Sequence, residues 1–192
     1  MLITDLPVHH TLISRIEDKG FTELTEVQEK TILPALLGKD IIASSKTGSG
    51  KTLAFLIPAV HRLLTQKALS RQDPRILILA PTRELAKQVF GEAKWLCQKK
   101  NLATALIVGG DNYNDQTKAL RRNPHIIVGT PGRVADHLED KSFFINGLEM
   151  LIFDEADRML DLGFAQSLNM INRKADHRKR QTMLFSATMD HV

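Results

Sequence analysis

A chain of 192 residues is the length of one domain and can bury roughly two thirds of its unfolded surface. Hydrophobic residues make up 43% and charged residues 25%, the balance of a soluble globular protein; no apolar run approaches the ~20 residues that cross a bilayer, and Met1-Leu2-Ile3-Thr4-Asp5 lacks the pattern of a secretion signal. The net charge of +4 permits an anionic partner without demanding one, and 5% aromatics argue against a protein that holds single strands by stacking bases.

In chain order, residues 11–19 read as a helix with apolar Leu12, Ile13 and Ile16 and Gly20 as its C-cap. A second helix follows over 26–37. Ile41-Ile42-Ala43 is the first of several short runs rich in branched residues. The others are Ile76 to Ala80, Ala103 to Val108, Ile126-Ile127-Val128, Leu151-Ile152-Phe153 and Met183-Leu184-Phe185, each expected to be a strand buried on both faces. Helix-compatible stretches separate most of them. Pro58 predicts a kink or restart in the one after the first strand, and Leu85, Val89, Ala93 and Leu96 form the apolar stripe of another. Strands alternating with helices imply right-handed crossovers and an α/β fold, a parallel sheet with helices on both faces. Ligands of such sheets gather at the carboxyl ends of the strands. The basic stretch 173–180 reads as a solvated helix end and loop. The one cysteine, Cys97, cannot close an internal disulfide, so the expectation is a reducing compartment, cytoplasmic with the nucleus open.

Two segments carry chemistry. Gly48-Ser49-Gly50-Lys51-Thr52 follows the first strand and opens a helix. Glycines let the backbone aim several amides at one anion, and the helix adds its positive end. Lys51 supplies a mobile cation for the outer phosphates, and Thr52 offers a hydroxyl to magnesium. Asp154-Glu155-Ala156-Asp157 ends the strand at Phe153. Asp154 is the expected magnesium anchor, Glu155 the residue that orients and deprotonates the attacking water, and Asp157 a group that fixes geometry. Together they imply a nucleoside triphosphate bound with Mg2+.

Asp154-Glu155-Ala156-Asp157 also spells the name of the DEAD-box RNA helicases, and other segments resemble that family's motifs in order. Ser45-Lys46-Thr47-Gly48-Ser49-Gly50-Lys51-Thr52 resembles motif I, with Ser45 where glycine or alanine usually opens it. Pro81-Thr82-Arg83-Glu84-Leu85-Ala86 resembles motif Ia, Gly109-Gly110 the glycine doublet, Thr130-Pro131-Gly132-Arg133 motif Ib, Ser186-Ala187-Thr188 motif III, and Gly20-Phe21 leading to Gln28 the Q motif. The resemblance implies a RecA-like P-loop NTPase fold over 1–192, with the Q-motif region over 1–29. It implies that the nucleotide is ATP, that Gln28 hydrogen-bonds adenine, and that Ser45 to Thr52 wrap the phosphates. It further implies that Thr82, Arg83, Gly110, Thr130 and Arg133 contact the RNA backbone, and that Asp157, Ser186 and Thr188 couple ATP state to domain closure. Without the family, Arg83 and Arg133 read as ordinary salt-bridge partners, and Gln28 as a surface helix residue.

Two positions depart from the family's pattern. Leu24 stands where the Q motif has proline, and Ile3 where an aromatic stacks on adenine, so adenine selectivity is expected to be weaker. Nothing through residue 192 resembles the second RecA-like domain, which would supply arginines to the transferring phosphate and half of the RNA track. The chain therefore reads as the N-terminal half of an ATP-dependent RNA helicase, monomeric by itself and nearly inactive alone. Two other classes stay open: a P-loop ATPase acting on DNA or driving transport, and a non-enzymatic nucleic-acid scaffold with a degenerate nucleotide site.

Overall fold

Side-chain alternation along the strands decides which of two cores each residue feeds. The computed structural model describes residues 1–44, 50–70 and 74–187. Its helices are α1 (His10–Asp18), α2 (Glu26–Leu36), α3 (Lys51–Thr65), α4 (Arg83–Cys97), α5 (Tyr113–Leu120), α6 (Pro131–Glu139), α7 (Ala156–Asp161) and α8 (Ala165–Lys174). Its strands are β1 (Ile41–Ser44), β2 (Ile76–Leu79), β3 (Thr104–Ile107), β4 (Ile126–Gly129), β5 (Met150–Phe153) and β6 (Gln181–Ser186). All pair in parallel, in the order β1-β6-β5-β2-β4-β3. Ile76, Ile78, Ile126, Val128, Met150, Ile152, Met183 and Phe185 point to the core beneath α1 to α4. Leu77, Leu79, Ile127, Leu151 and Phe153 point to the core beneath α5 to α8. The expected stripe on α4 holds for Val89, Ala93 and Leu96, whereas Leu85 is half-buried. Among the described residues no helix is long and apolar enough to cross a membrane.

Three local expectations change. α3 continues through Pro58 as one helix. Proline removes an intrahelical bond, at a cost of about 3 kcal/mol, but every residue from Ala54 to Val60 is buried and that packing holds the helix together. β1 is not buried on both faces: Ile42 is 62% exposed, because β1 is an end strand and no described helix covers that side of it. α1 stops at Asp18 with Lys19 as its C-cap. Gly20 follows at φ 86°, a left-handed conformation that glycine adopts without Cβ strain, and its amide donates to Glu17 O at 2.8 Å.

The amino ends of the strands are locked by one carboxylate. Glu149 is 0% exposed and accepts from Arg75 Nε (2.7 Å) and Nη2 (3.0 Å), Arg62 Nε (2.8 Å) and the Leu69 amide (3.2 Å). Burial pushes its carboxyl up, but the bonds from Arg75, Arg62 and Leu69 outweigh it and leave the group below the ordinary carboxylate range. The basic stretch lies at this same end of the sheet. Arg180 ties its loop down by donating to Asn172 O (3.0 Å), Asn172 Oδ1 (2.8 Å) and Ala175 O (2.7 Å), while Arg173, Lys174, Arg178 and Lys179 stay exposed.

Glu149→Ala leaves two guanidinium groups without their shared anion, so a loss of about 3–5 kcal/mol is expected by urea unfolding at neutral pH. In the native protein this contribution is present above the unfolded carboxylate pKa and disappears as pH falls through the lowered folded value, so the deficit of the variant should shrink in acid. A deficit that is small or independent of pH would contradict this. Cys97 gives a second test. It is 2% exposed, and burial pushes its thiol up to about 12. A thiol reagent at neutral pH should label it only on unfolding, and fast labelling of the native chain would refute its burial.

Candidate functional site

The strand order divides the carboxyl edge of the sheet into two halves. β1, β6 and β5 carry the phosphate-loop and acidic residues, and β2, β4 and β3 carry the candidate RNA contacts. β2 lies where they meet, so α4, which follows it, serves both: Arg83 opens the helix, and Leu85, Gln88, Val89, Glu92, Trp95 and Leu96 form a wall of the cavity at this edge.

That cavity has a volume of about 460 Å³, within the range of small-ligand sites. Its polar lining brings together Gln28, Gly50, Lys51, Thr52, Asp154 and Glu155, which come from three separate stretches of the sequence. Lys51 Nζ lies 3.1 Å from Asp154 Oδ1 and 3.1 Å from Glu155 Oε2. All three side chains are buried. Beyond that ammonium, Asp154 Oδ1 and Glu155 Oε2 have no hydrogen-bond partner. Burial raises the Asp154 carboxyl, with Lys51 opposing the rise. Glu155 holds a left-handed backbone, φ 53° and ψ 55°, at the N-cap of α7. Such a conformation costs a non-glycine residue roughly 1 kcal/mol or more and is typical of functional turns. Its other oxygen faces Arg158 Nη1 at 3.5 Å. Ser45, Lys46, Thr47, Gly48, Ser49 and Thr188 lie outside the described residues.

The Q-motif side differs from expectation in three respects. Gln28 is buried at 5% exposure and works within the protein: Oε1 accepts from the Thr25 amide (2.9 Å), completing a capping box on α2, and Nε2 donates to Gly50 O (3.0 Å). A Cβ on Gly50 would sit 2.7 Å from that Nε2, and its φ of 86° already disfavours side chains, so only glycine lets α2 reach the phosphate loop. Ile3 is not on the cavity wall. It is 2% exposed in the α1–α4 core and its amide donates to Thr22 O, while Phe21, 47% exposed, lines the cavity instead. Leu24 spends the N–H that proline lacks, donating to Met1 O at 3.0 Å.

Sequence reasoning missed Lys19, Glu92 and Trp95 as lining residues. Lys19 Nζ sits 4.4 Å from the Trp95 ring centroid, and Arg15 lies 4.1 Å from it. Burial raises the Glu92 carboxyl, with Lys19 opposing and Asp154 adding to the rise. The helical spacing 85, 88/89, 92 and 95/96 on α4 was the available signal; it does not say which residues of the stripe meet a cavity rather than the core.

On the other half, Arg83, Gly110 and Arg133 converge. Arg83 Nη2 pairs with Asp111 Oδ1 at 3.1 Å, not with the neighbouring Glu84, and Arg133 Nη1 donates to Asp111 O at 2.9 Å. Gly110, at φ 88°, leaves space that the Arg83 guanidinium fills. Thr82 caps α4 by accepting from the Leu85 amide (3.2 Å). Thr130, the N-cap residue of α6, is buried at 8% exposure. Asp157 and Ser186 are both buried, at the ends of the acidic turn and β6.

Comparison with known proteins matches this arrangement. The family model for the DEAD/DEAH box helicase covers residues 25–192. The chain is 43% identical over 173 residues to ATP-dependent RNA helicase HAS1 of Candida albicans, covering 90% of the chain and 31% of that protein. It is 42% identical over 190 residues to ATP-dependent RNA helicase RhlB of Pasteurella multocida (98% and 45%), and 46% identical over 182 residues to human ATP-dependent RNA helicase DDX18 (94% and 27%). It thus spans less than half the length of these relatives. Among solved structures, a DEAD box protein from Methanococcus jannaschii superimposes with a TM-score of 0.90 at 38% identity, covering all of this chain and 51% of that one. A hypothetical ATP-dependent RNA helicase from Sulfolobus tokodaii gives 0.84 at 35% identity, covering 94% and 51%. The parallel sheet with helices on both faces is therefore the RecA-like fold of those proteins, and the chain belongs to the DEAD/DEAH box helicase family.

Proposed function

We propose that this chain is the nucleotide-binding half of an ATP-dependent RNA helicase, working with a second RecA-like domain. The observation that carries the reading is Lys51, held between Asp154 and Glu155 in the lining of a cavity that Thr52 and Gln28 share. A triphosphate bound there would meet the ammonium. Lys51 then exchanges carboxylate oxygens for phosphate oxygens, and the two acids are released for their own tasks. Once Lys51 turns to phosphate, Asp154 Oδ1 and Glu155 Oε2, which have no other hydrogen-bond partner, fit a divalent cation and a water. Mg2+ keeps several waters and takes one or two carboxylates plus phosphates, so Thr52 and Asp154 would hold it, and it would neutralise charge on the transferring group. Glu155 takes a proton from water as the water oxygen bonds to the terminal phosphorus and the bond to the leaving diphosphate breaks.

Gln28 retains one amide hydrogen and one lone pair beyond those used on Gly50 and Thr25, enough to pair with the adenine edge. Phe21 offers the nearby aromatic face. RNA would lie over the other half, its backbone met by Arg83, Gly110 and Arg133, with Thr82 and Thr130 at the adjoining helix starts. Contacts to sugar and phosphate select RNA by its backbone shape and 2′-hydroxyls, and such binding weakens steeply with salt. The second domain is proposed from the length of the relatives, and it would supply the arginines that complete catalysis. An arginine finger is worth about a thousandfold or more in rate, so residues 1–192 alone would turn over near background. The lone buried thiol suits the reducing cytoplasm, where we place the protein.

The chain's only tryptophan lines the cavity, so its fluorescence reports occupancy. Titration with ATP and Mg2+ should change Trp95 emission saturably, and Lys51→Ala should weaken binding by at least about tenfold, the loss of one charge-assisted contact. Unchanged emission together with unchanged affinity in the variant would move the nucleotide elsewhere. In the protein that joins this chain to its second domain, Glu155→Gln should lower RNA-stimulated hydrolysis by about a hundredfold or more while ATP still binds. Unimpaired hydrolysis would remove Glu155 from the chemistry and favour a scaffold.

A further inference from the structure

Arg133 does not reach the proposed RNA track as a free side chain. Its Nη1 donates to Asp111 O and to Gln116 Oε1, both at 2.9 Å. Gln116 is buried, and its Nε2 donates to Val108 O at 2.8 Å, which fixes the end of the amide that faces the arginine. The same Oε1 lies 3.0 Å from His137 Nε2. A carbonyl oxygen can only accept, so Nε2 carries the proton. Nδ1 is then bare and accepts from the Ser142 hydroxyl, 3.0 Å away.

His137 is 0% exposed, and its ring stacks on Tyr113 with centroids 3.9 Å apart and planes 5° from parallel. Tyr113 is anchored by its hydroxyl on Asp140, and the Arg133 guanidinium lies 5.5 Å from the same ring. Burial, with Arg133 adding to it, holds the imidazole below its ordinary pKa, so it stays neutral and keeps one donor and one acceptor. The result is a directed chain: Ser142 to His137, His137 to Gln116, and Arg133 onto the same amide oxygen. A leucine or methionine would fill the volume, but it could not donate to Gln116.

We infer that His137 is a positioning residue for RNA binding: it orients Gln116 and, through that amide, presents the Arg133 guanidinium to a backbone phosphate. The inference rests on the proposed role of Arg133 in the RNA track. His137 itself touches no RNA. It sits one helical turn beyond Arg133 on α6, so the two side chains lie on one helix face.

The test is an anisotropy titration of a labelled oligouridine at low salt with this chain and four variants, with thermal unfolding of each as a control. Arg133→Ala should weaken binding by about tenfold, and His137→Leu by about three- to tenfold, since an arginine without its ordered partner loses part of a charge-assisted contact. His137→Gln places an amide nitrogen where Nε2 stands and should bind within about twofold of the parent. His137→Asn, whose amide mimics Nδ1 instead, should not restore binding. The glutamine–asparagine comparison carries the test if the leucine variant does not fold. Arg133→Ala without effect would overturn the RNA reading beneath the inference. A loss in Arg133→Ala with parental binding in His137→Leu, or equal losses in the glutamine and asparagine variants, would overturn the inference alone.

Discussion

One cation between two buried anions sets the terms for the nucleotide half of the molecule. Lys51, Asp154 and Glu155 together carry one net negative charge in a place where water reaches little of any of them. Removing Lys51 would leave two buried acids facing one another without a cation, which costs more than the interaction itself contributes. The arrangement therefore persists only because the lysine satisfies both acids at once. It also ties together the three groups to which the proposed reaction gives separate tasks: the cation and the two acids occupy one another. Polyphosphate is a stronger competitor for the ammonium than either carboxylate, since it brings more charge and its own counterion. Under the proposed function, binding and activation would then be one exchange of partners. The left-handed backbone at Glu155 belongs to the same device, because it turns that side chain back toward Lys51 at the start of α7.

The strand order explains how the two halves of the edge can communicate. β2 sits between β5 and β4, so α4 is the shared wall. Its first residue pairs with Asp111 in the loop after β3, and its later turns face the nucleotide cavity. A displacement of α4 along its axis would be felt at both ends. The link from Gln28 to Gly50 plays a parallel part on the far side of the cavity, joining the cap of α2 to the phosphate loop by one hydrogen bond. That contact requires a glycine, and it is why a residue that sequence alone would place on a helix surface is buried.

The legible features were those governed by local rules. Branched runs became strands because two-faced burial needs continuous apolar sequence, and the motif residues fell at the strand ends because a parallel sheet leaves them nowhere else. What escaped was set by packing between distant segments. Pro58 was expected to kink or restart a helix, but its neighbours are buried so completely that α3 runs on without a restart. Ile42 looks like its partners in sequence and differs only in belonging to an end strand. Ile3 holds the place of an aromatic in the motif yet turns into the core, while Phe21 turns out to the cavity, a choice made by the backbone pairing of Ile3 with Thr22 and Leu24 with Met1. His137 had no motif at all, since its partners Gln116 and Ser142 come from a separate helix and a later loop.

The two arginines of the proposed track are held on different terms, and the difference bears on how RNA is gripped. Arg83 is 43% exposed by side chain and its partner Asp111 41% exposed, and an ion pair in that setting contributes about 0–1 kcal/mol. A phosphate can replace the carboxylate at little cost, so Arg83 is an exchangeable contact whose strength falls with salt. Arg133 is half-buried and donates to two neutral oxygens, which direct it without cancelling its charge. Its attraction for a phosphate is therefore intact before RNA arrives, and little side-chain entropy remains to be lost. Asp111 joins the two, accepting from Arg83 on its side chain and from Arg133 on its backbone. A single loop thus sets one cation that is exchangeable and one that is already directed, and in the proposed track the directed one would define where the strand lies.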